Sequence, residues 1–187
     1  MRKRKDCVLS CDVVRTLRRR MFGLIKDMMD VEDVKDEREH GMIAYQDPFS
    51  CKLKVLETCK GDRCGMVMRN VNWGNLSFHT HPTSEIGDTP VYSNIFPSVS
   101  DVLVETRQNR TFCIGGISKD GPAVRCWRPP KWRERFTDQM YRDANRTYQL
   151  GETSYPMAEK LKKYAQDFSD RSESESKHFC TMEGWRR

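Results

Sequence analysis

No stretch of this chain is apolar and uncharged for long enough to cross a bilayer. No secretory leader is expected either: Met1-Arg2-Lys3-Arg4-Lys5 supplies a charged start, but Ser10, Asp12 and Arg15 break the apolar segment that should follow. The expected location is therefore cytoplasmic, with the eight cysteines held as reduced thiols. No CxxC pair occurs. The nearest pairs are Cys7/Cys11 and Cys59/Cys64, and Lys60-Gly61-Asp62-Arg63 between the second pair reads more simply as a hairpin turn than as half of a zinc knuckle. No internal repeat and no RNA-binding aromatic signature is present. The net charge of +6 comes from basic residues scattered over Arg2–Lys5, Arg18–Arg20, Arg125–Arg135 and Arg186-Arg187. An acidic protein partner or plain solubility accounts for that charge as well as nucleic acid does, so nucleic acid is disfavoured as a partner. Zinc deaminases of bases need H-x-E and a later PCxxC, and neither occurs.

What the chain does have is room for one core and a patterned order of elements. At 187 residues and 37% apolar content, one domain with appendages is expected. Cys7–Ser10 reads as a short strand. Val14, Leu17, Met21, Leu24, Ile25 and Met28 then recur at helical spacing, with Ser10 or Asp12 as N-cap. The charged Asp30–Arg38 reads as a loop and Glu39–Tyr45 as a strand closed by Asp47-Pro48. Lys52–Thr58 and Gly65–Arg69 read as strands joined through Gly61-Asp62. A long loop follows at Thr83–Pro97, then a helix at Ser98–Gln108 and strands at Thr111–Ile117 and Ala123–Trp127. This order suits an α/β sandwich around a mixed sheet. After Pro129-Pro130, Lys131–Asn145 and Pro156–Asp170 look helical, and the Ser169–Ser176 tract is too polar to bury a core. The expected organisation is a domain over 1–128, a helical appendage over 129–170 and a flexible tail over 171–187, with Phe179, Met182 and Trp185 near the end as residues able to dock back on the core. Trp127, Trp132, Phe136 and Tyr141 are expected to dock the appendage on the core.

Chemistry concentrates in Asn75-Leu76-Ser77-Phe78-His79-Thr80-His81-Pro82. Side chains at i and i+2 of a strand share a face, so Ser77, His79 and His81 oppose Leu76, Phe78 and Thr80. One face packs and the other can hold a metal. A bare HxH is also an ordinary polar pair at a strand end, so its context decides. That context is a glutamate at the start of a strand, Glu39, and Ser98-Val99-Ser100-Asp101 downstream. Three protein ligands leave zinc an open position, the arrangement of a catalytic rather than a structural centre. A barrel hydrolase with HxH on its first strand is disfavoured, because such barrels need about 250 residues.

Glutamate, then HxHP, then SxxD resembles the signature of the JAMM (MPN+) zinc metalloproteases, over roughly Cys7–Trp127. The resemblance implies an MPN-like, cytidine-deaminase-like α/β fold: a mixed sheet flanked by helices, here with the C-terminal helical appendage. It implies one catalytic zinc held by His79, His81 and Asp101, with Glu39 as general base and Ser98 as helper at the scissile carbonyl. It further implies a protein substrate, a ubiquitin-like modifier or its conjugate, cleaved at a peptide or isopeptide bond. A non-catalytic MPN-like scaffold whose appendage binds a partner is the alternative.

Within the set, Ser98-x-x-Asp101 also reads as a helix-capping pattern, and the two roles are compatible. Glu37, Glu32 and Glu57 compete with Glu39, which stands out by preceding Gly41-Met42-Ile43. Met42 occupies the position of a second family glycine. The Pro82-to-Ser98 separation is roughly double the family's usual one, so Ser84, Ser93 and Ser100 compete with Ser98, which alone has Asp three residues on. The insert reads equally as a lid or as a surface excursion. His40 reads as structural or exposed, and His178 as solvated.

Overall fold

A computed structural model of the chain describes residues 11–32, 37–47, 49–50, 52–61, 74–86, 89–119, 121–128, 136–150, 156–170 and 178–181. Its centre is a six-stranded mixed sheet in the order β2-β1-β3-β6-β7-β8. The strands are β1 (His40–Gln46), β2 (Leu53–Lys60), β3 (Leu76–Thr80), β6 (Thr111–Ser118), β7 (Gly121–Trp127) and β8 (His178–Thr181). Every pairing is antiparallel except β3 with β6, which is parallel and runs Leu76 opposite Thr111 through Thr80 opposite Gly115. A parallel pair needs a crossover, and α2 (Val99–Gln108) supplies it.

Alternation along the strands divides the core in two. On one face lies α1 (Cys11–Met29), whose Met21, Phe22, Ile25 and Met28 recur on one side of the helix and are fully buried. They meet Met42 and Ala44 of β1, Leu76 and Phe78 of β3, Cys113 of β6, and Val124 and Cys126 of β7. On the other face α2 packs with α3 (Asp138–Leu150) and α4 (Pro156–Asp170). Val99, Val102 and Leu103 of α2 share a buried cluster with Phe112, Ile114 and Trp127 of the sheet, Tyr141 and Ala144 of α3, and Ala158, Leu161, Ala165 and Phe168 of α4. Trp127 stacks on Phe112 at 5.5 Å between ring centroids, and Phe136 lies edge-on to Tyr141. Trp127, Phe136 and Tyr141 thus join the C-terminal helices to the sheet as expected; Trp132 lies outside the described residues. Each large side chain buried here contributes about 1.5–3 kcal/mol.

Three expectations change. Thr83–Pro97 is not a bare loop: β4 (Ser84–Ile86) and β5 (Thr89–Val91) form a hairpin within it. In the stretch expected to be a flexible tail, His178–Thr181 pair with Cys126–Ala123 and close the sheet as β8. The third concerns the thiols. Cys113 and Cys126 lie directly opposite each other on β6 and β7 and form a disulfide facing α1. Reduced cysteines were the expectation, and this pair departs from it because hairpin register, not sequence spacing, brings the two sulfurs together. The expected strands Cys7–Ser10 and Gly65–Arg69 lie outside the described residues. Among the described residues, no helix is long and apolar enough to cross a membrane.

Since Leu161 of α4 is fully buried against the α2 and sheet residues of this second cluster, Leu161→Ala is expected to cost about 2–5 kcal/mol of folding stability. Urea unfolding followed by circular dichroism should show the lowered midpoint in a single transition. A separate early transition with the main one unmoved would mean that α4 does not belong to this core.

Candidate metal centre

β3 carries the first two functional side chains to one place by alternation. Leu76 and Phe78 pack toward α1, leaving Ser77 and His79 on the α2 face. His81 lies one step past the strand, and its N–H donates to the Gly115 carbonyl at 2.8 Å, so the extended course continues long enough to keep it beside His79. The third side chain comes from the start of α2. Ser98 is the N-cap, and Asp101 is the third helical residue of a complete capping box. Asp101 Oδ2 accepts from the Ser98 N–H and from the Ser98 hydroxyl, both at 2.7 Å, while the Asp101 N–H donates to Ser98 Oγ at 3.2 Å. The carboxylate is thereby turned toward the histidines.

The three side chains converge. His79 Nε2 and His81 Nε2 are 3.0 Å apart. Asp101 Oδ1 lies 3.3 Å from His79 Nε2, and Asp101 Oδ2 lies 3.5 Å from His81 Nε2. Donors about 2.0–2.1 Å from a tetrahedral ion stand roughly 3.3 Å from one another, so the three separations fit a shared cation. The His81 tautomer supports this. Its Nδ1 is hydrogen-bonded to the main-chain carbonyl of Asn94, which can only accept, so a proton sits on Nδ1 and the neutral form of the ring presents its Nε2 lone pair toward His79 Nε2. Two ring nitrogens at 3.0 Å need a proton or a metal ion between them. Burial opposes a charge on His79, yet the Asp101 carboxylate overrides it and raises the His79 pKa. Burial likewise opposes the Asp101 anion, and the facing imidazoles hold its carboxyl well below the usual range. Among the described residues, His79, His81 and Asp101 are the group able to hold a metal ion, with His79 buried and the other two half-buried.

The glutamates separate cleanly. Glu37 is buried, and its Oε2 accepts from the Thr83 N–H at 2.6 Å and the Thr83 hydroxyl at 2.8 Å, which fastens the chain just after the HxHP. Glu39 is half-buried and lies two residues before Gly41, the cross-strand partner of His79. Equal parity sets it on the His79 face, and its charge acts on that imidazole. Glu32 is exposed three residues past the end of α1, and Glu57 sits on β2 opposite Ile43, a strand farther away. His40 is buried on the opposite face from His79, where burial, then Lys60, lower its pKa against the opposing charge of Asp27. Of the other serines, Ser93 bonds the Ile117 N–H and Ser100 bonds Asn145 on α3, while Ser84 lies in β4. Half-buried Cys59 stays outside the ligand group, its thiol pushed up to about 11 by burial and Glu57.

Two features escape sequence reasoning. The Asn94 carbonyl is main chain and leaves no residue-type signal. The other is a buried ion pair, Glu105 with Arg110, in which the guanidinium reaches both carboxylate oxygens. Glu105 follows Asp101 by one helical turn, and its charge also acts on His79. A Glu–x4–Arg spacing across a helix end was the only hint available.

Comparison with protein-family models, with curated proteins and with solved structures finds no match to this chain. The likeness to the JAMM signature therefore rests on the sequence motif alone.

Removing the partner of a buried charge is costly, so Arg110→Met is expected to lose about 3–5 kcal/mol of folding stability. Adding Glu105→Leu should return most of that loss in a denaturant double-mutant cycle. Additive losses would show that the two groups are not coupled.

Proposed function

We propose that the chain is a zinc-dependent metallopeptidase of JAMM type with an MPN-like fold, hydrolysing a peptide or isopeptide bond at the C-terminus of a ubiquitin-like modifier. The convergence of His79, His81 and Asp101, with Glu39 on the same face, carries this reading. Two imidazoles and one carboxylate suit zinc better than magnesium or calcium, which favour all-oxygen shells. Three protein donors leave a position for the reacting groups. The mixed α/β sheet supports the MPN-like assignment, with HxH at the end of a parallel strand and the aspartate at the start of the crossover helix.

The ion, when bound, supplies two effects: it lowers the pKa of water toward neutrality and polarises a carbonyl. The chain supplies the rest. Glu39 accepts the water's proton and returns it to the departing amine, whereas the Glu37 carboxylate is committed to Thr83. Ser98 first orients Asp101 through its N–H and hydroxyl. The N–H bond alone can hold the carboxylate, which frees the hydroxyl to donate to the oxyanion developing on the scissile carbonyl. An extended C-terminal segment of the modifier would enter as an added strand, beside the Lys52–Thr58 strand or the Thr83–Pro97 segment.

Purified protein is expected to contain stoichiometric zinc and to cleave ubiquitin-like fusions until a chelator is added. His79→Ala and Asp101→Ala should each abolish zinc retention. Glu39→Ala should keep zinc and lower kcat/KM by at least about 100-fold, with Glu37→Ala far milder. Zinc retained in every preparation with no hydrolysis would favour a scaffold, and protein that cannot bind zinc would remove the enzyme reading altogether.

A further inference from the structure

The insertion between the second histidine and the aspartate enters the metal centre through a main-chain atom. Its two ends are fastened separately: Thr83 to Glu37 at the start, and Ser93 to β6 at the finish. Ser93 is buried, its N–H donates to the Ile117 carbonyl at 2.9 Å, and its Oγ accepts from the Ile117 N–H at 3.0 Å. These bonds occupy the edge of β6 just beyond the point where β3 ends. The approach requires a glycine: a Cβ on Gly116 would stand 2.4 Å from Ser93 Cβ. The next residue, Asn94, is itself exposed, but its carbonyl meets His81 Nδ1. The segment then stays fixed, with the Asn94 side chain accepting from the Phe96 N–H, Ile95 buried, and Phe96 under the Arg125 guanidinium at 4.1 Å.

We propose that Ser93 is a positioning residue for the metal centre: it locks the Asn94 carbonyl onto His81 Nδ1, which fixes the ring's tautomer and aims Nε2 at the shared ligand point. The role rests on the metal-site reading above. It divides the insertion into a projecting hairpin, β4–β5, and a clamp, Ser93–Pro97, that belongs to the centre. A metal-ligating imidazole whose other nitrogen is held this way keeps its orientation before the ion arrives, and loss of such a partner lowers metal affinity by about 10- to 100-fold.

The test uses the full chain and two readouts: nitrogen chemical shifts of the histidine rings in metal-stripped protein, and Co2+ affinity from the visible absorption of the bound ion. Wild-type protein should show His81 as the Nδ1–H tautomer. Ser93→Ala should give mixed tautomers and a 10- to 100-fold weaker Co2+ affinity. Ser93→Thr, which keeps the hydroxyl, should return both toward wild type, and Tyr92→Ala at the exposed neighbouring position should change neither. If Ser93→Ala does not fold, Asn94→Gly loosens the same carbonyl from an exposed position and should move both readouts in the same direction. Unchanged tautomer and affinity in the folded variant, or an equal loss in Tyr92→Ala, would overturn the role. If wild-type protein binds no Co2+ or Zn2+, the metal reading fails, and the metal-free tautomer comparison still decides whether the clamp holds His81.

Discussion

The parallel pairing of β3 with β6 is the constraint on which the rest of the molecule depends. Because the two strands run the same way, the chain must return along a face of the sheet, and α2 makes that return. Its N-terminus consequently lies near the carboxyl end of β3, the region where open α/β sheets place their ligands. His79 and His81 arrive at that end by strand alternation and Asp101 by helix capping. Neither the strand nor the helix needs an unusual conformation for this. The left-handed residue Asn109 ends α2 and starts the descent to β6, at φ 52°, a value asparagine tolerates better than most residues.

The charges around the centre form a graded series rather than a single pair. Asp101 faces both imidazoles and Glu39 flanks them, while Glu105 stands one turn deeper with Arg110 to balance it. A cation at the ligand point therefore sits in a field of negative charge that is partly compensated on the buried side and open toward solvent. The helix start would ordinarily disfavour a cation. Here Asp101, supported by Ser98, reverses the local sign.

How much of this was legible from the residues follows from what kind of signal each part leaves. HxH periodicity and the SxxD capping pattern are written in side-chain identity, so the strand, the helix and the convergence of His79, His81 and Asp101 were readable. Glu39 was separable from Glu37 only once register placed Gly41 opposite His79 and Thr83 captured Glu37. The Cys113–Cys126 bond depends on hairpin register, and β8 depends on an unfilled sheet edge beside β7. Both are tertiary facts with no local pattern. The β4–β5 hairpin was missed because its strands are three residues each, too short for an alternation to register. The appendage helices were visible by periodicity, but Ser100 to Asn145 and Ser169 to Pro97, the bonds tying them to the ligand-bearing end of α2, were not.

Because His81 is held by a peptide carbonyl and not by a side chain, the identity of residue 94 bears on the contact only through the turn it makes with Phe96. What the arrangement cannot tolerate is a change in chain length between Ser93 and Ser98, which would shift the carbonyl out of reach or drag the helix cap with it. Residues between Thr83 and Ser93 carry no such limit, since both ends of that excursion are moored independently. Across related sequences, this predicts a divided pattern of drift: insertions and deletions collecting before Ser93, and a fixed count of residues after it, with position 94 kept to residues that, unlike glycine, hold the turn to Phe96.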